Sequence, residues 1–160
     1  MPGTGKLNLS LESVRSTLAG SASFRTWAGV SDEAGALAHI HVVATPGAWT
    51  RPAALVSYDP EFRMEAIAGG ARLHSDTAQF VYLRLEKDTP EAFTDDPEGA
   101  GLLFASEIGP IILDLEAAAG TGGALAIHEI SMALPPQRVE FVEETAAVDY
   151  WQAVFRMGAL

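Results

Sequence analysis

No cysteine occurs among the 160 residues, which removes disulfide frameworks, thiol nucleophiles and every cysteine-ligated zinc or iron–sulfur site. Long hydrophobic runs are missing as well. Apolar stretches such as residues 108–113 are far shorter than the ~20 residues a membrane span needs, and Asp114 and Glu116 follow at once. Positive charge is scarce: 10 Lys and Arg stand against 21 Asp and Glu, a formal net charge of −11. Phosphate backbones attract the opposite sign of surface, so sequence-specific DNA or RNA binding has little electrostatic support. The opening Met1-Pro2-Gly3-Thr4-Gly5-Lys6 has no apolar stretch behind its one cation and does not read as a secretory signal, and Pro2 excludes myristoylation. The expectation is a soluble, cytoplasmic protein with no membrane contact.

What is present is the composition of a folded domain, 48% hydrophobic and 19% charged. Residues 1–9 read as a flexible arm and 10–160 as a single α+β domain. Ser10 is a candidate N-cap for a helix with Leu11, Val14, Leu18 and Ala19 at helical spacing, closed by Gly20. A second short helix, Ser23 to Ala28, places Phe24 and Trp27 as core anchors before Gly29, and Asp32-Glu33-Ala34 can open a third. Strands are expected at 38–43 and 53–58, the latter forming a hairpin with Phe62 to Ala68 around Asp59-Pro60. The loop between the first two carries Pro46, Gly47 and Pro52. Thr77 to Glu86 is apolar on both faces, as expected of a central strand covered on both sides.

A helix-start signal at Asp95-Asp96-Pro97-Glu98 precedes an apolar stripe of Phe104, Ala105, Ile108, Ile111, Ile112, Leu115 and Ala119. Gly109-Pro110 inside it predicts a kink, or a break into two shorter helices. After Gly120-Thr121-Gly122-Gly123 comes a strand from Ala124 to Met132, interrupted by Pro135-Pro136. Arg138 to Val142 and Val148 to Met157 then pair around Glu143-Glu144-Thr145-Ala146. The architecture expected is a mainly antiparallel sheet of about four to six strands, packed with an N-terminal helix and one long kinked helix.

Chemical motifs are weak. His39 and His41 share a strand face, the only metal-like spacing, without a third ligand nearby. His74 and His128 stand alone. Gly3-Thr4-Gly5-Lys6 lacks both the Ser or Thr after Lys and the preceding strand of a phosphate-binding loop. No Gly-x-Ser-x-Gly elbow is present, and sequence neighbours such as Asp95 with Asp96 or Glu143 with Glu144 do not define a buried acid–base pair. No catalytic residue, cofactor or metal is assigned. The candidate surface is instead the acidic stretch Glu86, Asp88, Glu91, Asp95, Asp96 and Glu98, broken only by Lys87. It reads as a solvated loop, or as a surface that repels nucleic acid or meets a basic partner.

The order of elements resembles the tail-terminator and tail-completion proteins of long-tailed bacteriophages, the lambda-type family. The stretches that carry the likeness are Phe80-Val81-Tyr82-Leu83-Arg84-Leu85, Ile108-Gly109-Pro110-Ile111-Ile112 and residues 150–157. The runs 11–15, 24–29 and 51–56 are similar to small neck or tail proteins. The resemblance implies a non-enzymatic virion protein, assembled in the host cytoplasm as a homo-oligomeric ring, most simply a hexamer. Such a ring caps the tail tube and joins it to the head–neck connector, with tube and neck proteins as partners and DNA passing unbound. Two alternatives remain at this point: a related head-to-tail adaptor, and a small α+β enzyme or ligand- or metal-binding domain using His39 and His41.

Overall fold

A computed structural model describes residues 6–42, 49–58, 64–67, 70–73, 80–119 and 127–159. Helix α1 spans Lys6–Gly20 and buries Val14, Leu18 and Ala19, three of the positions marked by the apolar spacing. It begins ahead of Ser10, so Ser10 is an interior residue and the expected arm is helical from Lys6 onward; residues 1–5 lie outside the described residues. Helix α2 (Ala22–Ala28) is capped by Ser21, whose hydroxyl accepts the Phe24 N–H at 3.0 Å and satisfies a donor that a helix start leaves unpaired. Gly29 ends it at φ 73°, a left-handed turn that costs other residues a steric penalty. Asp32 caps α3 (Glu33–Leu37) by accepting the Gly35 N–H at 2.7 Å.

Strands β1 (Ile40–Val42), β2 (Ala53–Tyr58), β3 (Met64–Ile67), β4 (Gly70–Leu73), β5 (Phe80–Asp88), β6 (Ile127–Glu143) and β7 (Ala146–Ala159) complete the fold with α4 (Pro97–Ala118). Five of them form one sheet in the order β1-β2-β5-β7-β6. The β1–β2 pair is parallel and the other three neighbouring pairs are antiparallel. The α+β class, the largely antiparallel sheet and the long helix are therefore as the sequence indicated.

Three local expectations change. Residues 62–68 do not form a hairpin with β2: β3 pairs instead with β4, a strand the sequence reading missed, and β2 is held between β1 and β5. The residues of the expected turn, Asp59 and Pro60, lie outside the described residues. Helix α4 does not break at Gly109-Pro110. Pro110 and Ser106, whose carbonyl would have met the missing N–H, are both exposed, so water can take that acceptor. Pro135-Pro136 does not end β6 either. Among the described residues that strand has only β7 as partner, and an edge position tolerates prolines at the cost of register shifts between Met132/Leu134 and Leu134/Gln137.

Strand periodicity places the core. Val81, Leu83 and Leu85 of β5 face Met157, Phe155 and Ala153 of β7 in register, and all six are buried. Ala54 and Val56 extend this surface, and Val14, Leu18, Phe24, Phe104, Ile108, Ile111 and Leu115 seal it from the helix side. Each of the Val, Leu, Ile, Phe and Met side chains contributes roughly 1.5–3 kcal/mol by leaving water. The opposite face of β5 is not the apolar surface expected: Tyr82 is half-buried, Arg84 exposed, and Glu86 a buried carboxylate.

Because β7 lies inside the sheet, deleting residues 150–160 removes the strand on which β5 and β6 both pair. The truncated chain is expected to lose cooperative thermal melting. A soluble truncation with a sharp melting transition by circular dichroism would contradict this placement of the C-terminal strand.

Candidate assembly surface

At one end of the sheet the last β5–β7 ladder pair is Asp88 with Tyr150 and the Thr89 N–H still donates to the Asp149 carbonyl at 3.1 Å, beyond which β6 and β7 continue as a two-stranded ribbon from Phe141↔Val148 to Glu143↔Ala146. Three residues per strand, at the usual rise, make an overhang of roughly 10 Å. All residues from Glu140 to Ala147 are exposed. Strand alternation puts Phe141 and Val148 on one side of the ribbon and Val142 and Ala147 on the other, and Phe141 and Val142 are 44% and 71% exposed. The turn is tight, and Glu144 takes φ 56°, a left-handed conformation better suited to Asn or Gly.

Arg138 fastens the base of this ribbon. Its Nε and Nη2 donate to the two carboxylate oxygens of Asp149 at 2.9 and 2.6 Å, the bidentate geometry that a planar guanidinium favours. Nη2 also donates to the Thr94 carbonyl at 3.2 Å and lies 3.2 Å from Glu140. The Thr89 hydroxyl donates to Asp149 Oδ1 at 2.6 Å. One cation thus ties β6, β7 and the β5–α4 connection together. Hydrogen bonds from Arg138 outweigh partial burial and, with Thr89, hold the Asp149 carboxyl below the usual carboxylate range. The same pairing raises the Arg138 guanidinium, with Glu140 and Asp95 adding to it.

The acidic stretch gathers here, with one exception. Asp88, Glu91, Asp95, Asp96 and Glu98 are exposed at this end, and Glu140, Glu143 and Glu144 of the ribbon join them. Asp96 also caps α4, accepting the Gly99 N–H at 2.9 Å. Glu86 does not belong to the surface. It is 2% exposed on the sheet face turned from the helices, with Oε2 3.2 Å from Arg51 Nε and Oε1 3.7 Å from Arg84 Nη1. Arg51 reaches over β5 to make this contact, its guanidinium 3.7 Å from the Tyr150 ring centroid. A buried carboxylate needs a paired cation, and the proline-flanked position of Arg51, far from Glu86 in sequence, gave no sign of the partnership.

The histidine pair is held by other interactions. His39 Nδ1 lies 2.7 Å from the Pro52 carbonyl, so that nitrogen carries the proton and donates it. The His41 ring stacks on Trp49 with centroids 5.4 Å apart. Among the described residues no three His, Cys, Asp or Glu side chains gather as metal ligands. His74 and the side chain of His128 lie outside the described residues. On the helix side, a groove of about 440 Å³ runs between α2 and α4. Trp27, Pro110 and the ion pair of Lys87 with Glu107, 3.0 Å apart, line it.

Among the described residues no helix is long and apolar enough to cross a membrane. No protein-family model matches the chain, and no curated protein matches it.

Two outcomes follow from the ion pairs. Replacing Arg51 with Met leaves the Glu86 carboxylate short of its main partner. Breaking a fully buried pair costs about 3–5 kcal/mol, and partial solvent access to Arg51 lowers the expectation to about 2 kcal/mol. Adding Glu86→Gln should recover most of this loss in urea unfolding, and an unchanged double variant would refute the pairing. For Asp149 the folded pKa lies below the unfolded value, so its stabilisation is present above the unfolded pKa, about 4, and is lost as pH falls through the folded one. Asp149→Asn should therefore lower the melting temperature at pH 7 and lessen its fall between about pH 5 and pH 2; parallel pH profiles for the two proteins would refute the assignment.

Proposed function

We propose that this protein is a virion assembly component of a long-tailed bacteriophage. It acts as a tail-terminator or tail-completion subunit that forms a ring, caps the tail tube and joins it to the neck. The observation that supports this reading best is the overhanging β6–β7 ribbon. A two-stranded ribbon with apolar side chains on both faces gains little stability in water by itself, and closed cyclic assembly is the general way to cover such a surface and an open sheet edge. Charge supports the same reading. The exposed carboxylates at the ribbon end and the net charge of −11 repeated around a ring would produce a strongly negative rim or channel, through which DNA passes without adhering.

The resemblance of the element order to the lambda-type family supplies the expected ring size, a hexamer, and the partners, a tube protein and a neck protein. Function in this reading is assembly, and the residues that matter are those of the ribbon and the acidic end. The decisive experiment mixes the purified chain with its tube protein and follows mass by light scattering and shape by negative-stain imaging. Closed rings, free or on tube ends with tube growth arrested, are the expected result. A chain that stays monomeric at every concentration and never decorates tube ends would overturn it.

A further inference from the structure

We propose that the outward face of α4 packs antiparallel on the same face of a second copy of this chain, about a two-fold axis. The contact stands apart from the ring reading, because a ring joins unlike surfaces and this contact uses one surface twice.

Helix α4 is apolar on two sides and covered on one. Phe104, Ile108, Ile111 and Leu115 point into the core. On the outward side Leu102 and Leu113 are 67% and 64% exposed, and Ala105, Ser106 and Pro110 between them are exposed as well. A helix that is apolar all round is ordinarily buried all round. Leu102, Ser106, Gly109 and Leu113 follow at intervals of four, three and four residues, the spacing of a narrow helix-to-helix seam. A Cβ placed on Gly109 would meet nothing within 4 Å, so the space above the middle of the seam is open.

The order of these four residues and their lack of charge select the occupant. Large, small, small, large reads the same in both directions, so a copy turned round by a two-fold axis sets Leu113 against Leu102 and Gly109 against Ser106. Small residues at the crossing let the helix axes approach to about 8 Å, and antiparallel helices bring opposite ends of their dipoles together. On a chain with a net charge of −11 most surfaces of two copies repel each other. The seam escapes this. Glu107 and Asp114 lie on the flank toward α2, engaged by Lys87 at 3.0 Å and by the Ser21 hydroxyl at 2.6 Å. Glu98 and Glu116 close the seam about one turn beyond each leucine, where crossing helices have moved apart. From Leu102 to Leu113 the helix rises roughly 16 Å, and a width of about 10 Å makes this a small contact, at the low end for specific association. Pairing is therefore expected only at about 10 µM or above.

Sedimentation velocity on the full chain between about 5 µM and 1 mM tests this, with thermal melting to check that each variant is folded. Leu102→Glu or Leu113→Lys alone puts a charge into the seam and should raise the dimer dissociation constant at least about tenfold. Both changes in one chain set the new carboxylate of each copy against the new ammonium of the other, and the constant should return to within about threefold of its starting value. Within one helix the two positions are about 16 Å apart, so the charges cannot neutralise each other inside a copy. Gly109→Glu gives an independent reading, since a single copy has room for the side chain and the closed seam does not. A chain that remains monomeric to about 1 mM overturns this contact, while rings on tube ends, if seen, still support the ring reading. Dimers unaffected by all of the single substitutions overturn it too. Weakening by each leucine change without recovery in the combined chain overturns the antiparallel register. In a chain that forms rings by itself, paired rings split by either leucine change are the expected result, and rings that never pair overturn the contact.

Discussion

One face of a five-stranded sheet must be sealed, and most of this molecule follows from that constraint. Val81, Leu83, Leu85, Ala153, Phe155 and Met157 point the same way because side chains alternate along paired strands, and none of them can remain in water. The helices α1, α2 and α4 supply the cover with their own stripes of Val14, Leu18, Phe24, Phe104, Ile108, Ile111 and Leu115. Once that layer is fixed, the polar residues of the same strands are forced onto the other face, where Glu86 is buried and must be neutralised by Arg51 and Arg84.

The same constraint explains the ribbon. β7 is an interior strand only as far as β5 can pair with it, and β5 departs at Asp88 toward α4. Past the Thr89–Asp149 backbone bond, β6 and β7 pair only with each other among the described residues. Arg138 gathers the loose ends by binding Asp149 and the Thr94 carbonyl, so the acidic β5–α4 connection is held against the ribbon base. Negative charge is concentrated by this geometry, and exposed apolar residues sit at its tip. The proposed assembly role places its contact at this end.

Much of the fold was legible because it depends on local periodicity. The apolar spacing of α1, the Asp and Gly positions around α2, α3 and α4, and the alternation of β5 and β7 each carry a period or a cap that short-range sterics enforces. Strand pairing was less legible: β2 and the 62–68 segment looked like partners because a turn signal lies between them, yet the backbone ladder of β2 is taken by β1 and β5. The strand interruption expected at Pro135-Pro136 and the break that was one of two outcomes expected at Pro110 do not occur, for a related reason. A proline's effect depends on whether the affected carbonyl or N–H is exposed, as at Pro110 of α4 and at the β6 edge, and exposure is not a local property.

The sequence by itself determined the class of the fold, the core face of each main element and the excess of negative charge, since these depend on residue type and on spacings of two to four positions. It also located the acidic stretch but could not sort its members. Only the tertiary structure separated Glu86, buried under Arg51, from the exposed Asp88, Glu91, Asp95, Asp96 and Glu98, and joined these to Glu140, Glu143 and Glu144 at one end. The reason is physical: burial and pairing are set by which strands and loops meet across long separations in sequence, and charge acquires a place only when the chain has closed.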